Sequence, residues 1–151
     1  MELGQFGVYD GQDHIRRFLH GLGPQGPQPN RLSNHLQAQP VIDVAPDGRS
    51  AKVRIRLLEQ VGTYGERAGW NGIIEENEAV LEGGVWKLKR VHGFNTFSAD
   101  YQGGWTQASG QALPGPSATN PPDRPPTIVF GVFPKAYTVP FHYPNPVTGK
   151  P

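Results

Sequence analysis

Leu32-Ser33-Asn34-His35-Leu36-Gln37-Ala38-Gln39-Pro40-Val41-Ile42-Asp43-Val44, then Ala45-Pro46-Asp47-Gly48-Arg49, then Ala51-Lys52-Val53-Arg54-Ile55-Arg56-Leu57-Leu58 is the stretch that decides the fold. Its side chains alternate with a period of two. Leu32, Asn34, Leu36, Ala38, Pro40, Ile42 and Val44 share one face of a strand, and Ser33, His35, Gln37, Gln39, Val41 and Asp43 share the other. Asp47-Gly48 is a strong hairpin signal, so the alternating run that follows is the returning strand.

Outward from that hairpin the pattern continues. A third strand is expected from Trp70 to Glu82, and Gly83-Gly84 turns it into a fourth from Val85 to about Ala99, which sets Trp86, Leu88, Arg90, His92 and Phe94 on one face. Strands this long must curl in a small domain, and Pro40 and Gly93 are where a bulge or bend fits. Lys52, Arg54 and Arg56 can face Glu76, Glu78 and Glu82 across the second and third strands, mutually supporting the pairing. Before the hairpin, residues 3 to 9 read as a short strand. Asp13 is placed to cap a helix whose apolar positions Ile15, Phe18, Leu19 and Leu22 recur at three and four.

The chain has 151 residues, enough for one core. Gly 20 and Pro 16 make up nearly a quarter of it, which excludes a plain helical bundle. Eleven prolines lie beyond residue 104, in a stretch with only four charged residues, Asp123, Arg124, Lys135 and Lys150. That stretch still carries Ile128, Val129, Phe130, Val132, Phe133, Tyr137, Phe141 and Tyr143, too apolar for a solvated linker. The expected organisation is therefore a folded body over residues 1–105 and an extended Pro-rich arm over 106–151, packed on the same or a neighbouring subunit.

Net charge is +1 and no basic run exceeds Arg16-Arg17, which argues against nucleic acid as a partner. There is no cysteine, hence no disulfide or thiolate metal site. No window approaches the 18 apolar residues of a membrane span and no signal-peptide pattern opens the chain, so a soluble, cytoplasmic protein is expected. Gly21-Leu22-Gly23-Pro24-Gln25-Gly26 has the spacing of a dinucleotide fingerprint but ends a helix instead of opening one. His14 and His20 are six apart and share no ligand face, and neither a zinc nor a serine-nucleophile motif occurs, so no metal is expected.

The Asn34-His35 strand with Gln39-Pro40-Val41-Ile42, the Ala45-to-Arg49 turn, Gly72-Ile73-Ile74-Glu75-Glu76-Asn77-Glu78, Gly84-Val85-Trp86-Lys87-Leu88-Lys89-Arg90, His92, Phe94, Asp100-Tyr101 and Gly104-Trp105 together resemble a SnoaL-like domain of the nuclear transport factor 2-like superfamily. The tail run from Phe141 to Gly149 resembles the end of longer bacterial members. The resemblance implies an α+β cone: a strongly curved, mostly antiparallel sheet of four to five strands around a pocket, here with one short helix. It also implies kinship with cofactor-independent dehydratases, isomerases and polyketide cyclases, and with non-catalytic modules. Members of the family usually open with a long and a second, short helix before the first strand. Here the strand is entered by Leu3, so those elements are expected to be missing, and only His35 matches the strand-borne His of the dehydratase type.

His35 is the first candidate for a catalytic base, since an imidazole suits proton abstraction beside a carbonyl. Ser33, Gln37 and Gln39 on its face fit a pocket wall or a polar dimer surface equally well. His92 is the second, with Arg90 placed to help it hold a carboxylate or enolate oxygen; a histidine satisfied within the core is the competing reading. Gln37, Trp86, Phe94, Asp100 and Tyr101 complete the expected substrate contacts, although Asp100 also fits a turn. Two functions compete. One is a non-catalytic module that self-assembles, with exchanged arms covering side chains such as Val53, Ile55, Leu57, Trp86 and Leu88, and that binds an apolar small molecule. The other is a cofactor-free lyase or isomerase acting on a polycyclic or aromatic carbonyl compound with His35 as general base.

Overall fold

The computed structural model describes residues 1–107, 118–135 and 138–150. The elements run β1 (Glu2–Leu3), α1 (Gln12–Leu22), β2 (Arg31–Val44), β3 (Ser50–Thr63), β4 (Arg67–Glu82), β5 (Val85–Arg90) and β6 (His92–Asp100), closed by a 3-10 turn at Trp105–Gln107. One six-stranded sheet in the order β1-β6-β4-β3-β2 holds them, with β5 also paired to β4. All pairings are antiparallel except β1 on β6. The fold is α+β with a single helix and an open, curved sheet.

The two central strands β3 and β4 pair without interruption from Ser50↔Val80 to Thr63↔Arg67. Lys52 stands opposite Glu78 and Arg54 opposite Glu76 as the charge pattern requires, and both pairs are closed ion pairs. Arg56 faces Ile74 instead, and Glu82 pairs with Lys87 across the next turn.

Away from this centre the register shifts three times, and each shift moves side chains to the other face. On β2, Ala38 pairs with Arg56 but Val41 pairs with Arg54, so three steps on one strand oppose two on the other. Gln39 takes φ 53° at this bulge, and Pro40, which has no N–H to give the ladder, sits beside it. The expected single face of β2 is thereby broken. Ser33, His35 and Gln37 lie opposite Val61, Glu59 and Leu57, and past the bulge Ile42 and Val44 join that same face opposite Val53 and Ala51. Leu32 and Leu36 are on the reverse.

The long fourth strand is likewise two strands, parted at Val91. Leu88 pairs with Ala79 but Arg90 with Glu78, which leaves Lys89 as the extra residue. Trp86 and Leu88 therefore lie on the face of Ala79 and Leu81, whereas Arg90 and Phe94 share the reverse face with Glu78 and Ile74. A third shift, between Gly72 and Ile73, makes Thr96 the extra residue on β6. Gly72 has no room for a side chain because the Phe97 ring lies over it.

Near the N-terminus the expected strand over residues 3 to 9 shortens to Glu2–Leu3 and an isolated bridge at Val8. Gly4 (φ 55°) and Gly7 (φ 108°) turn the chain between them, and at Gly7 the backbone lies too close to Pro122 and the Arg124 carbonyl for any side chain. Gly11 precedes helix α1 at the N-cap position and offers no side-chain cap. Asp13 is in its first turn instead, where a carboxylate favours the positive helix end. Phe18 packs against Phe6 and Tyr9, with Ile15 and Leu22 around them.

From residue 118 the chain first passes the helix, where Asn120 accepts from Arg17 and Asp123 meets His14, and then packs on the sheet face of Ile74 and Phe94. Phe130 and Val139 join Ile74 and the fully buried Phe94 in a second apolar cluster, flanked by Ile128 and Val132. Polar contacts fix the same segment. Val8 and Arg124 bridge their backbones, the Glu2 carboxylate accepts from Thr127 N and Oγ1, Arg54 donates to the Val139 and Pro140 carbonyls, and His142 meets Glu76. Residues 108–117, 136–137 and 151 of the expected arm, Tyr137 among them, are outside the described residues.

Candidate active site

Between α1 and the sheet lies a cavity of about 500 Å³. The helix contributes Leu19 and Leu22, the N-terminal segment Met1, Leu3 and Phe6, and the later chain Phe130 and Val132. The sheet wall carries Ser33, His35, Glu59, Val61, Ile73, Glu75, Gly93 and Asn95. These are the positions that register places on one face: Leu57 opposes Ile73, which opposes Asn95, while Glu75 opposes Gly93. Its size and mainly apolar lining with a few polar groups fit a small organic molecule.

Polar chemistry concentrates in one cross-strand row. His35 on β2 stands opposite Glu59 on β3, which is opposite Asn71 on β4, which is opposite Ser98 on β6. His35 Nδ1 is 3.4 Å from Glu59 Oε1, and its Nε2 is 3.4 Å from Ser33 Oγ. The imidazole is half exposed, at 47%, whereas the Glu59 side chain is only 7% exposed. Behind it Asn71 Nδ2 donates to Glu59 Oε2 at 2.9 Å, Ser98 Oγ donates to Asn71 Oδ1 at 2.7 Å, and Asn95 Nδ2 donates to Ser98 Oγ at 3.0 Å. The carboxylate, held from behind, stands against the ring, close enough to orient it and to balance a positive charge on it. His35 has the reach of a general base and Glu59 that of its orienting partner.

The other expected site residues are placed elsewhere. Gln37 is exposed on β2 and does not line the cavity. Trp86 is on β5, 45% exposed. Arg90, His92 and Phe94 belong to the opposite side of the sheet. There His92 is buried between Phe94 and the Glu2 carboxylate, 3.5 Å from Glu2 Oε1, and stacks on Phe94 with ring centroids 4.1 Å apart. Burial, more than any charge nearby, pushes the His92 imidazole below its ordinary range. It is a core histidine of the sheet–arm interface. Asp100 and Tyr101 line a shallow groove that shares Arg31, Leu32, Gly62 and Arg67 with the cavity, while the Asp100 carboxylate accepts from Gln102 N and Gly103 N as a turn residue. Reading the sequence did not single out Glu59, Asn71, Asn95 or Ser98.

Among the described residues no cluster of three His, Cys, Asp or Glu could hold a metal ion, and no helix is long and apolar enough to cross a membrane. A family model described as a SnoaL-like domain matches residues 1–92, from the first strand through β5 to the first residue of β6. No curated protein matches the chain.

Proposed function

The chain belongs to the SnoaL-like domain family, and from that membership and the cavity we propose that it binds a small, mostly apolar carbonyl compound and moves a proton on it, as a cofactor-independent isomerase or lyase. One observation carries the reading: His35 lines the cavity with the buried Glu59 carboxylate at its back. In the reaction, the imidazole takes a proton from the carbon next to the carbonyl. The carbonyl oxygen takes up the electron pair as an enolate, and the imidazolium then returns the proton to another carbon or to a leaving hydroxyl. Glu59 neutralises the imidazolium while it lasts, and the apolar wall of Leu3, Leu19, Leu22 and Phe130 excludes water from the enolate.

The test needs no knowledge of the substrate. Aromatic and polycyclic ketones are incubated with the protein in D2O, and deuterium entering the α-carbon is followed by NMR. Catalysed exchange that His35→Ala removes supports the reading. Ketones that bind without exchange would reduce the protein to a binding module.

Self-association is a second property, favoured by a separate observation. Ile42, Val44, Trp86 and Leu88 are 60%, 50%, 45% and 65% exposed and lie on β2 and β5 of one sheet face, with Ala51 of β3 and Ala79 of β4 between them, Leu88 also bordering a groove that it shares with Ile15 and Leu19 of the helix. An apolar stripe of this kind suits a second copy of the chain.

A further inference from the structure

A second set of side chains with binding character lies on the reverse of the sheet. Asn34, Gln60 and Trp70 stand opposite one another on β2, β3 and β4, one step from His35, Glu59 and Asn71, and therefore on the other face. Tyr101 stacks on Trp70 with ring centroids 6.4 Å apart and planes inclined by 27°, and Trp105 lies 6.1 Å from the same indole. Trp105 also meets Phe97 edge-on. The rings form one continuous aromatic surface, and Tyr101 and Trp105 are 64% and 56% exposed. Large rings gathered side by side in water mark a place where something stacks.

Tyr101 belongs as well to a groove of about 670 Å³ where the start of β2, the β3–β4 turn and the end of β6 meet. Tyr64, 87% exposed, is a second ring in its lining. The charged side chains there are Arg31, Arg67, Glu66 and Asp100, two of each sign, and Gln102 adds an amide that both donates and accepts. Among the described residues, the side chains of Glu66, Arg67 and Gln102 are engaged by no other.

This charge balance decides between ligand classes. A lining of zero net charge gives no advantage to a phosphate, a carboxylate or a cation, and one so rich in donors and acceptors does not suit a hydrocarbon. A neutral sugar satisfies both halves of the site. Its hydroxyls each donate and accept, and the C–H faces of its rings stack on aromatic faces. We propose that Tyr101, Trp70 and Trp105, with the adjoining groove, bind a neutral oligosaccharide. The claim is independent of the ketone reading: the groove borders the cavity at Arg31 and Arg67, but its aromatic wall is on the reverse face.

Maltotriose, cellotriose and triacetylchitotriose serve as probes, and the chain's own tryptophans report binding. There are three, and Trp86, on β5 opposite Leu81, is far along β4 from Trp70 and acts as the internal control. Each sugar is titrated into isotope-labelled protein and the indole N–H signals are followed by NMR. The expected result is that at least one sugar shifts Trp70 and Trp105 in a saturable way and leaves Trp86 unmoved. Its affinity should change less than about twofold between low and high salt, because no net charge is there to be screened. Tyr101→Ala, which removes an exposed ring, should weaken binding about tenfold. Absence of saturable shifts at Trp70 and Trp105 with all three sugars, or equal shifts at Trp86, overturns the site. An affinity unchanged in Tyr101→Ala overturns it too. If the sugars fail and Tyr101→Ala instead lowers the sedimentation coefficient of the concentrated protein, the rings are a contact between copies and the saccharide site is wrong. The wild-type comparison of Trp70 and Trp105 with Trp86 decides the matter even where Tyr101→Ala does not fold.

Discussion

His35 and Glu59 face each other across β2 and β3 with Nδ1 and Oε1 3.4 Å apart, the imidazole half open to the cavity and the carboxylate buried. The division of labour between them predicts different losses. His35→Ala should lower α-proton exchange by about 10²–10⁴-fold, the usual scale for a general base, with little effect on stability because the ring is half exposed. Glu59→Gln keeps an oxygen for Asn71 but removes the charge that supports the imidazolium. Its exchange rate should fall between wild type and His35→Ala, with ketone affinity nearly unchanged. NMR exchange rates and calorimetry on the three proteins check this, and a Glu59→Gln protein as fast as wild type would rule out the pairing as functional.

Arg54 holds the final segment to the sheet. Its guanidinium pairs with the buried Glu76, donates to the Val139 and Pro140 carbonyls, and sits 4.3 Å from the Phe141 ring centroid. Arg54→Ala leaves Glu76 buried with His142 as its remaining side-chain partner, and breaking a buried pair on one side costs about 3–5 kcal/mol. Urea unfolding should show a loss of that order, and limited proteolysis should cut residues 138–150 first. Arg54→Lys should recover only part of it, since an ammonium cannot fork to two carbonyls and a carboxylate at once. A loss under about 1 kcal/mol would place Arg54 among ordinary surface ion pairs.

The β3–β4 pairing was legible because nothing interrupts it: Lys52–Glu78 and Arg54–Glu76 follow from alternation alone. The site was not, and the reason is one residue. Counting back from the Asp47-Gly48 hairpin, where Val44 opposes Ala51, an unbroken ladder sets His35 opposite Gln60. The extra residue at Gln39–Pro40 sets it opposite Glu59 instead. Pro40 marks where a bulge fits but not how many residues it absorbs. Lys89 has the same effect farther on, sending Arg90 away from the face of Trp86 and Leu88, and no residue type announces it. Period-two reading survives only up to the first bulge.

His92 makes the stability of the fold depend on pH in a window of its own. Buried in the sheet–arm interface among Glu2, Arg90, His142 and Glu76, it resists protonation in the folded chain, whereas in the unfolded chain it takes a proton near pH 6.5. Below that value the unfolded state binds more protons, so stability is full above about pH 7 and falls as pH drops through 6.5. Glu78, held below its ordinary value chiefly by the hydrogen bond from Lys52, adds its own loss only as pH falls below 4.5. The melting temperature should thus decline between pH 7.5 and 5.5, and His92→Gln should shrink the decline where the exposed His20→Gln does not. Equal declines in all three proteins would locate the titration elsewhere.

The stripe of Val44, Leu88, Trp86 and Ile42 predicts concentration-dependent assembly. Val44, Ala51, Ala79 and Leu88 form one row across four strands, and Leu81 and Trp86 form the row beside it. Leu88 is 65% exposed, so Leu88→Lys removes little from the monomer and its stability should stay within about 0.5 kcal/mol of wild type. In a face-to-face pair of copies, the same lysine would be driven against the partner's apolar row and left without a counter-charge, which is strongly unfavourable. Sedimentation velocity across a hundredfold range of concentration should show wild type shifting toward a larger species and Leu88→Lys remaining a monomer. Lys87→Leu, on the reverse face of the same strand, should sediment like wild type. If Leu88→Lys and wild type assemble alike, the stripe is not the interface, and the association must run through another surface of the sheet.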